Sequence, residues 1–318
     1  MRAVLLKGFG GYDVLKVASL NRPSPKKSEV LVRVKASSVS NFDINIRQGK
    51  KSLLNRKPRI PVKNAMGLEF AGVIEDIGEG VTHFTTGDRV YGMLDLWKGD
   101  RSHAEYITVP ESHVFYIPNG VSFVEAASLP IGMLTSIRAL IDLGKVKEQH
   151  RVLINGASGG VGIYALQVAK VMKAEVHATC SAAKVDLLKR FSPDQIYAYD
   201  QVDLRKNRQP YDVIFDVAAK WNLAQVKQNL TPKGIYISSN PMKDIWGILI
   251  ASKLTSRKSR YLMVSRSDTF HLKQVNTFLN EYGIKPVYES VYELDAIQEA
   301  HLAFDSRKNL GKVMLELP

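Results

Sequence analysis

The stretch "VLINGASGGVG", Val152 to Gly162, packs four glycines into seven positions directly after an apolar run. Glycine gives up more chain entropy on folding than any other residue, so this density implies a backbone that has to be bare. A strand, a tight glycine turn and a helix form a cradle for a pyrophosphate, through N–H groups and the helix dipole. Gly156, Gly159 and Gly162 set the spacing, with Gly160 additional. Ala157, Gly159 and Gly162 satisfy a loosened G-x-G-x-x-G register equally well. The candidate contacts are therefore Gly156, Ala157, Ser158, Gly159, Gly160 and Val161. A glycine turn that binds nothing is the plainer alternative.

The following strand distinguishes between dinucleotides. An NAD site usually carries Asp or Glu at that strand's end, about 20 residues on, to bind ribose hydroxyls. Here the strand ends "HATCSAAK" and offers Cys180, Ser181 and Lys184 but no acid. A carboxylate repels a 2′-phosphate, whereas a hydroxyl and an ammonium attract one. The expectation is NADPH rather than NADH, with Ser181 and Lys184 at the phosphate. Ser181 can also cap the helix that follows.

The surrounding elements fit such a site. "RVLINGA", "EVHATC", "QIYAYD", "DVIFDVA" and "GIYISS" read as strands. Between them "GVGIYALQVAKVMK", "SAAKVDLLKRF" and "WNLAQVKQNL" read as helices. Strand–helix–strand alternation implies parallel pairing, because parallel strands need a crossover. The first third has a different texture: "MRAVLLKGF", "EVLVRVKASSVS" and "FAGVIEDIG" are β-branched runs broken by Pro and Gly clusters. The tail returns to similar strands, ending in "KVMLEL". The expected domains are residues 1–121, β-rich; 122–264, a doubly wound parallel sheet; and 265–318, returning to complete the first.

Composition sets outer limits. The chain has 318 residues, 45% hydrophobic and 24% charged, as expected of a globular protein with two domains. Its single cysteine, Cys180, excludes an intramolecular disulfide and any zinc lobe built from several cysteines. "MRAVLLKGFG" is too short for a signal-peptide core, and "IWGILIA" (residues 245–251) is too short to span a bilayer, so a cytoplasmic location is expected. The formal charge of +13 fits solubility, an anionic cofactor or peripheral contact with an acidic membrane. Its short basic clusters lack interleaved aromatics, which argues against nucleic acid.

With the β-rich part included, the sequence resembles the medium-chain dehydrogenase/reductase superfamily, and within it the zinc-independent quinone oxidoreductase and enoyl reductase branch. The carrying motifs are "GLEFAGVIEDIGEGVTHFTTGDRVYG" (Gly67 to Gly92), "NGASGGVG", "YDVIFDVA" and "GKVML". The resemblance implies an α/β protein: a GroES-like β-rich catalytic domain, a Rossmann domain inserted in it, a cleft between them, and a homodimer. The superfamily's zinc alcohol dehydrogenases place His where Leu68 stands. Their early Cys ligand falls at Ser40 or Asn41, and "IGMLTS" offers no third ligand. The seven histidines are scattered and are expected at the surface or at caps.

By the same resemblance, Thr135 lies near the nicotinamide or its pyrophosphate, and Tyr199 near the adenosine phosphate. Both residue types also suit simple packing. Ala218, Ser238 and Asn240 close strands at the end where such sheets bind ligands. Met263, within "YLMV", and Lys312, beside Asn309, are carried over as cofactor contacts. On the substrate side the family often shows Asn-Pro-x-Asp, whereas this chain reads Ser40-Asn41-Phe42-Asp43. Either Ser40 or Asn41 takes the Asn role, and Asp43 could serve only to anchor the loop. Tyr91 and Trp97 wall the cleft or pack in the core.

Without zinc, alcohol–ketone exchange loses its Lewis acid. Hydride addition to a quinone or an α,β-unsaturated carbonyl remains feasible, because the substrate delocalises the charge and water can protonate the enolate. The expected activity is an NADPH-dependent reductase of quinones, enones or enals. An enoyl-thioester reductase and a low-turnover, membrane-associated NADPH-binding protein are the alternatives.

Overall fold

The N-terminal runs RAVLL and LKVAS pair antiparallel as β1 (Arg2–Leu6) and β2 (Leu15–Ser19). This computed structural model describes residues 1–50, 66–97, 100–206, 209–239 and 256–318. Asn240, the "IWGILIA" segment and most of the basic stretch after Arg47 lie outside the described residues. The long run EVLVRVKASSV forms β3 (Glu29–Val39), in which Val30, Val32, Val34 and Ala36 are fully buried. It is followed by α1 (Asn41–Arg47), β4 (Glu69–Ile77), β5 (Arg89–Met93), β6 (Tyr106–Pro110), β7 (Val114–Tyr116) and α2 (Phe123–Ala127).

The alternating region begins after α3 (Pro130–Ile137). It runs β8 (Arg151–Asn155), α4 (Gly162–Val171), β9 (Glu175–Cys180), α5 (Val185–Lys189), β10 (Gln195–Ala198), β11 (Tyr211–Asp216), α6 (Leu223–Val226), β12 (Leu230–Ser238) and β13 (Lys258–Tyr261). Among the described residues these strands form one sheet in the order β10-β9-β8-β11-β12-β13, parallel throughout. The order reverses direction between β8 and β11, which is where doubly wound sheets bind ligands. The chain then adds α7 (Thr269–Asn280), β14 (Tyr288–Glu293), α8 (Ile297–Asp305) and β15 (Lys312–Glu316). β15 pairs antiparallel with β3, so the final strands complete the first sheet, in the order β14-β15-β3-β4-β5-β7 with β6 also on β3.

Contacts divide the chain into two units: Met1–Ile131 with Ser265–Glu281 and Lys285–Pro318, and Gly132–Val264 with Tyr282–Ile284. The first unit thus runs past residue 121, because α2 packs on β3 and β4. Its core gathers Val30, Val32, Val34, Phe70, Ile74, Val90, Ile107 and Leu315. Among the described residues no helix is long and apolar enough to cross a membrane.

Two buried polar groupings lie in the first unit. Lys312 on β15 reaches Glu69 on β4, both almost wholly buried, and the Ser38 hydroxyl of the intervening β3 donates to the same carboxylate oxygen. Removing one partner of such a pair strands a charge and costs about 3–5 kcal/mol. The second grouping corrects the expectation that the histidines sit at the surface or at caps. His103 and His301 of the first unit are buried, His301 on the face of α8 that also buries Ile297 and Ala300, and His177 of the second unit is buried on β9, where every residue from Val176 to Cys180 is buried. His301 on α8 is fully buried, and among the described residues neither ring nitrogen has a hydrogen-bond partner. Burial pulls its pKa from 6.5 to about 3, against the attraction of Asp43 and with help from His103 and Arg47.

This histidine makes the first unit acid-labile. Folded His301 stays neutral down to about pH 3, while in the unfolded chain it protonates near 6.5. The unfolded state therefore binds the extra proton between those values. The contribution to stability is complete above the upper value and is lost as pH falls toward the lower. At pH 4 the loss is roughly 3 kcal/mol. Urea melts of His301→Leu at pH 7 and pH 4 should show a flatter acid dependence than the parent; an unchanged slope would assign the lability elsewhere.

Candidate active site

The glycine loop turns the chain from β8 into α4. Gly156 has φ +88°, a conformation that costs glycine nothing, and Ala218 at the end of β11 lies against it, 3.2 Å from where a Cβ would stand. At Gly162, the first residue of α4, a Cβ would fall 2.2 Å from the Gly156 carbonyl oxygen and 2.6 Å from the Ala157 Cα. No side chain fits there, so the helix can start this close to the strand only on glycine. Gly159 is different: a Cβ there would meet only the Gly156 oxygen, at 3.7 Å. The fold does not require that backbone to be bare, and the space beside it is open.

A chain of hydrogen bonds holds the loop from below. Gly156 N–H donates to Thr179 Oγ1 (2.9 Å), and the Thr179 hydroxyl donates to Asn155 Oδ1 (2.6 Å). Asn155 Nδ2 donates to Asp216 (2.7 Å), whose other oxygen accepts from Trp221 N–H (2.8 Å) and the Tyr236 hydroxyl (2.9 Å). The ends of β9, β8, β11 and β12 are thus linked by polar groups that are nearly all buried. Linked bonds of this kind polarise and strengthen one another in a low dielectric. From α3, the Ser136 hydroxyl donates to the Gly132 carbonyl (2.7 Å) and lies 3.2 Å from that of Val161. Thr135, mostly buried, precedes it on the same helix.

The selector strand joins the loop directly. Ala157 N–H donates to the Thr179 carbonyl (2.9 Å), and one residue further the Cys180 carbonyl accepts from Tyr199 N–H (3.0 Å). Ser181 and Lys184 follow, partly exposed, and the Tyr199 side chain is 60% exposed, so packing does not account for it. Ser238 ends β12 buried, with its carbonyl accepting from Leu262 N–H; Met263 beyond is exposed.

The remaining candidates belong to the other unit. Ser40 caps α1, and Asp43 accepts from Ser40 N–H (2.8 Å), the Ser40 hydroxyl (2.7 Å) and Gly67 N–H (2.7 Å). All of that describes an anchor. Asn41 is exposed at the helix start. Lys312 is committed to Glu69, whose second oxygen accepts from Ile131 N–H (2.7 Å). Tyr91 is fully buried and donates to Asn276 on α7 (2.7 Å), so it packs in the core, while Trp97 is exposed.

Comparison with known proteins agrees with this geometry. The family described as Alcohol dehydrogenase GroES-like domain matches residues 26–119, and the family described as Zinc-binding dehydrogenase matches residues 192–315. A chloroplastic quinone-oxidoreductase, QR1, of Triphysaria versicolor is 32% identical over 99% of this chain and 98% of its own length. This chain belongs to the medium-chain dehydrogenase/reductase family. The synaptic vesicle membrane protein VAT-1 homolog of Rattus norvegicus is 30% identical over 99% of this chain and 84% of its own length. The quinone oxidoreductase of Coxiella burnetii shares the fold with a TM-score of 0.89, at 24% identity over 100% of this chain and 99% of that one.

As a medium-chain dehydrogenase/reductase the protein is an oxidoreductase with a nicotinamide cofactor. Its residues fit that group: the space beside Gly159 is open, and α4 directs its N-terminus into the loop. Leu68 is buried in the first unit. Among the described residues no three His, Cys, Asp or Glu side chains stand together as metal ligands. Sequence reading passed over Asn155, Thr179, Ser136, Asp216 and Tyr236. A signal existed for Asn155 and Asp216, each a polar residue that closes a strand directly after an apolar run, Val152–Ile154 and Val213–Phe215. In Asp216→Ala, the Asn155 amide, the Trp221 N–H and the Tyr236 hydroxyl lose a buried partner. Chemical denaturation should report a loss of about 3–5 kcal/mol, and a loss below 1 kcal/mol would refute the network's role.

Proposed function

We propose that the protein is an NADPH-dependent reductase that adds hydride to a quinone or an α,β-unsaturated carbonyl without zinc. The observation that carries the cofactor choice is the end of β9, where Ser181 and Lys184 follow Cys180 beside the glycine loop and no acid stands at that end of the strand. Leu68, in place of a ligand His, supports zinc-independent chemistry, and the quinone-oxidoreductase name of a relative that matches the full chain supports the substrate class. When bound, the nicotinamide supplies the hydride. The loop from Gly156 to Val161 receives the pyrophosphate, and Thr135 and Ala218 border it. Ser181, Lys184 and Tyr199 take the adenosine phosphate.

On the substrate side, Asp43 has three donors to serve and acts by fixing the start of α1. The Ser40 hydroxyl already donates to Asp43. The Asn41 amide is therefore the group available to donate to the oxygen on which charge develops, and water protonates the resulting enolate. The +13 charge favours a second reading, an enoyl-thioester reductase whose substrate carries phosphates.

NADPH oxidation assayed on benzoquinones, enones and crotonyl thioesters separates these readings. Turnover of the first two supports the proposal, turnover of thioesters alone supports the second, and binding without turnover overturns both. Lys184→Ala should weaken NADPH about tenfold while NADH changes less than twofold; equal losses would remove the NADPH assignment. Asn41→Ala should lower kcat roughly tenfold to a hundredfold with NADPH affinity unchanged, and a full-rate variant would clear Asn41 of any role.

A further inference from the structure

The acid missing from the end of β9 is supplied by its neighbour. β10 runs parallel to β9 on the outer side of the sheet, with Ala198 opposite Cys180. The chain leaving β10 bonds back to β9 through Tyr199 N–H and the Cys180 carbonyl. The next residue, Asp200, then turns its carboxylate onto the backbone that follows β9: Ala182 N–H donates to both oxygens, at 3.0 and 3.2 Å. Ala182 lies between Ser181 and Lys184, the two residues assigned to the 2′-phosphate. Asp200 and Lys184 also both act on the buried Cys180 thiol. Burial pushes that thiol's pKa up, Asp200 adds to the rise and Lys184 opposes it. A negative and a positive side chain thus share one small region.

The Asp200 residue is exposed, and a carboxylate offers about four acceptor positions. One N–H shared between its oxygens leaves room for ribose hydroxyls. In NAD sites an acid at this end of the sheet receives those hydroxyls; here it arrives from the strand beyond.

We propose that Asp200 is a cofactor-selecting residue, which accepts from the ribose hydroxyls of NADH and opposes the 2′-phosphate of NADPH, so that one site admits both dinucleotides. Lys184 pulls toward NADPH and Asp200 toward NADH, and the two charges offset each other. The preference for NADPH is then narrow and rises with the loss of a single negative charge. This rests on reading the glycine loop and the end of β9 as the dinucleotide site.

The test is Asp200→Asn, which keeps an acceptor for Ala182 N–H and removes only the charge. Dissociation constants for NADPH, NADH, 2′,5′-ADP and ADP are measured on the full chain by calorimetry, with thermal unfolding as a check on folding. The expected result is NADPH and 2′,5′-ADP tighter by about tenfold, NADH weaker by about threefold and an unchanged melting temperature. Raising the salt concentration should shrink the gain for 2′,5′-ADP. If Asp200→Asn leaves the NADPH-to-NADH ratio unchanged while Lys184→Ala still weakens NADPH, Asp200 is only a structural acceptor and the site reading stands. If the parent binds neither dinucleotide, the site reading fails and this inference fails with it.

Discussion

Helix α4 starts so close to β8 that the Gly156 carbonyl oxygen occupies the position where a side chain on Gly162 would begin. That contact fixes the depth and direction of the loop between them, and much of the second unit is arranged to hold it. A turn this tight leaves backbone groups facing the ends of the strands. The protein meets them with Thr179, Asn155 and Asp216, which pass hydrogen bonds across four adjacent strands. The parallel sheet thereby gains a rigid polar floor at the end where its order reverses. A ligand resting on such a floor meets dipoles already oriented, so little ordering energy is spent when it binds.

The first unit solves a related problem with charge. Glu69, Lys312 and Ser38 stitch β4, β15 and β3 together across the middle of a largely apolar sheet. Asp43 does similar work at the start of α1, joining Ser40 to Gly67. In both cases a residue whose type suggests chemistry is occupied by architecture.

Much of the fold was legible in the sequence because its signals are local. Apolar runs such as RVLIN and DVIFD, at helix-length spacing, announce a parallel sheet, and glycine at Gly156 and Gly162 announces the turn. Burial of His301 was less legible: a histidine among apolar and polar neighbours on α8 reads equally well as surface. Lys312 was legible as a residue but not as a partner, since Glu69 lies 243 positions away. Residues that act through backbone or through one another, such as Asn155 and Thr179, carry no motif of their own.

The sequence by itself determined the order of elements, the bare loop and the absence of an acid from the end of β9, since each follows from residue type and short-range spacing. Only the tertiary structure decided which side chains share a location. Strand neighbours in a parallel sheet are separated by a whole crossover, so the residues ending β9 and those following β10 have no sequence spacing that marks them as adjacent. That is why Asp200 stands beside Ser181 and Lys184 in space while the end of β9, where an acid is usual, has none.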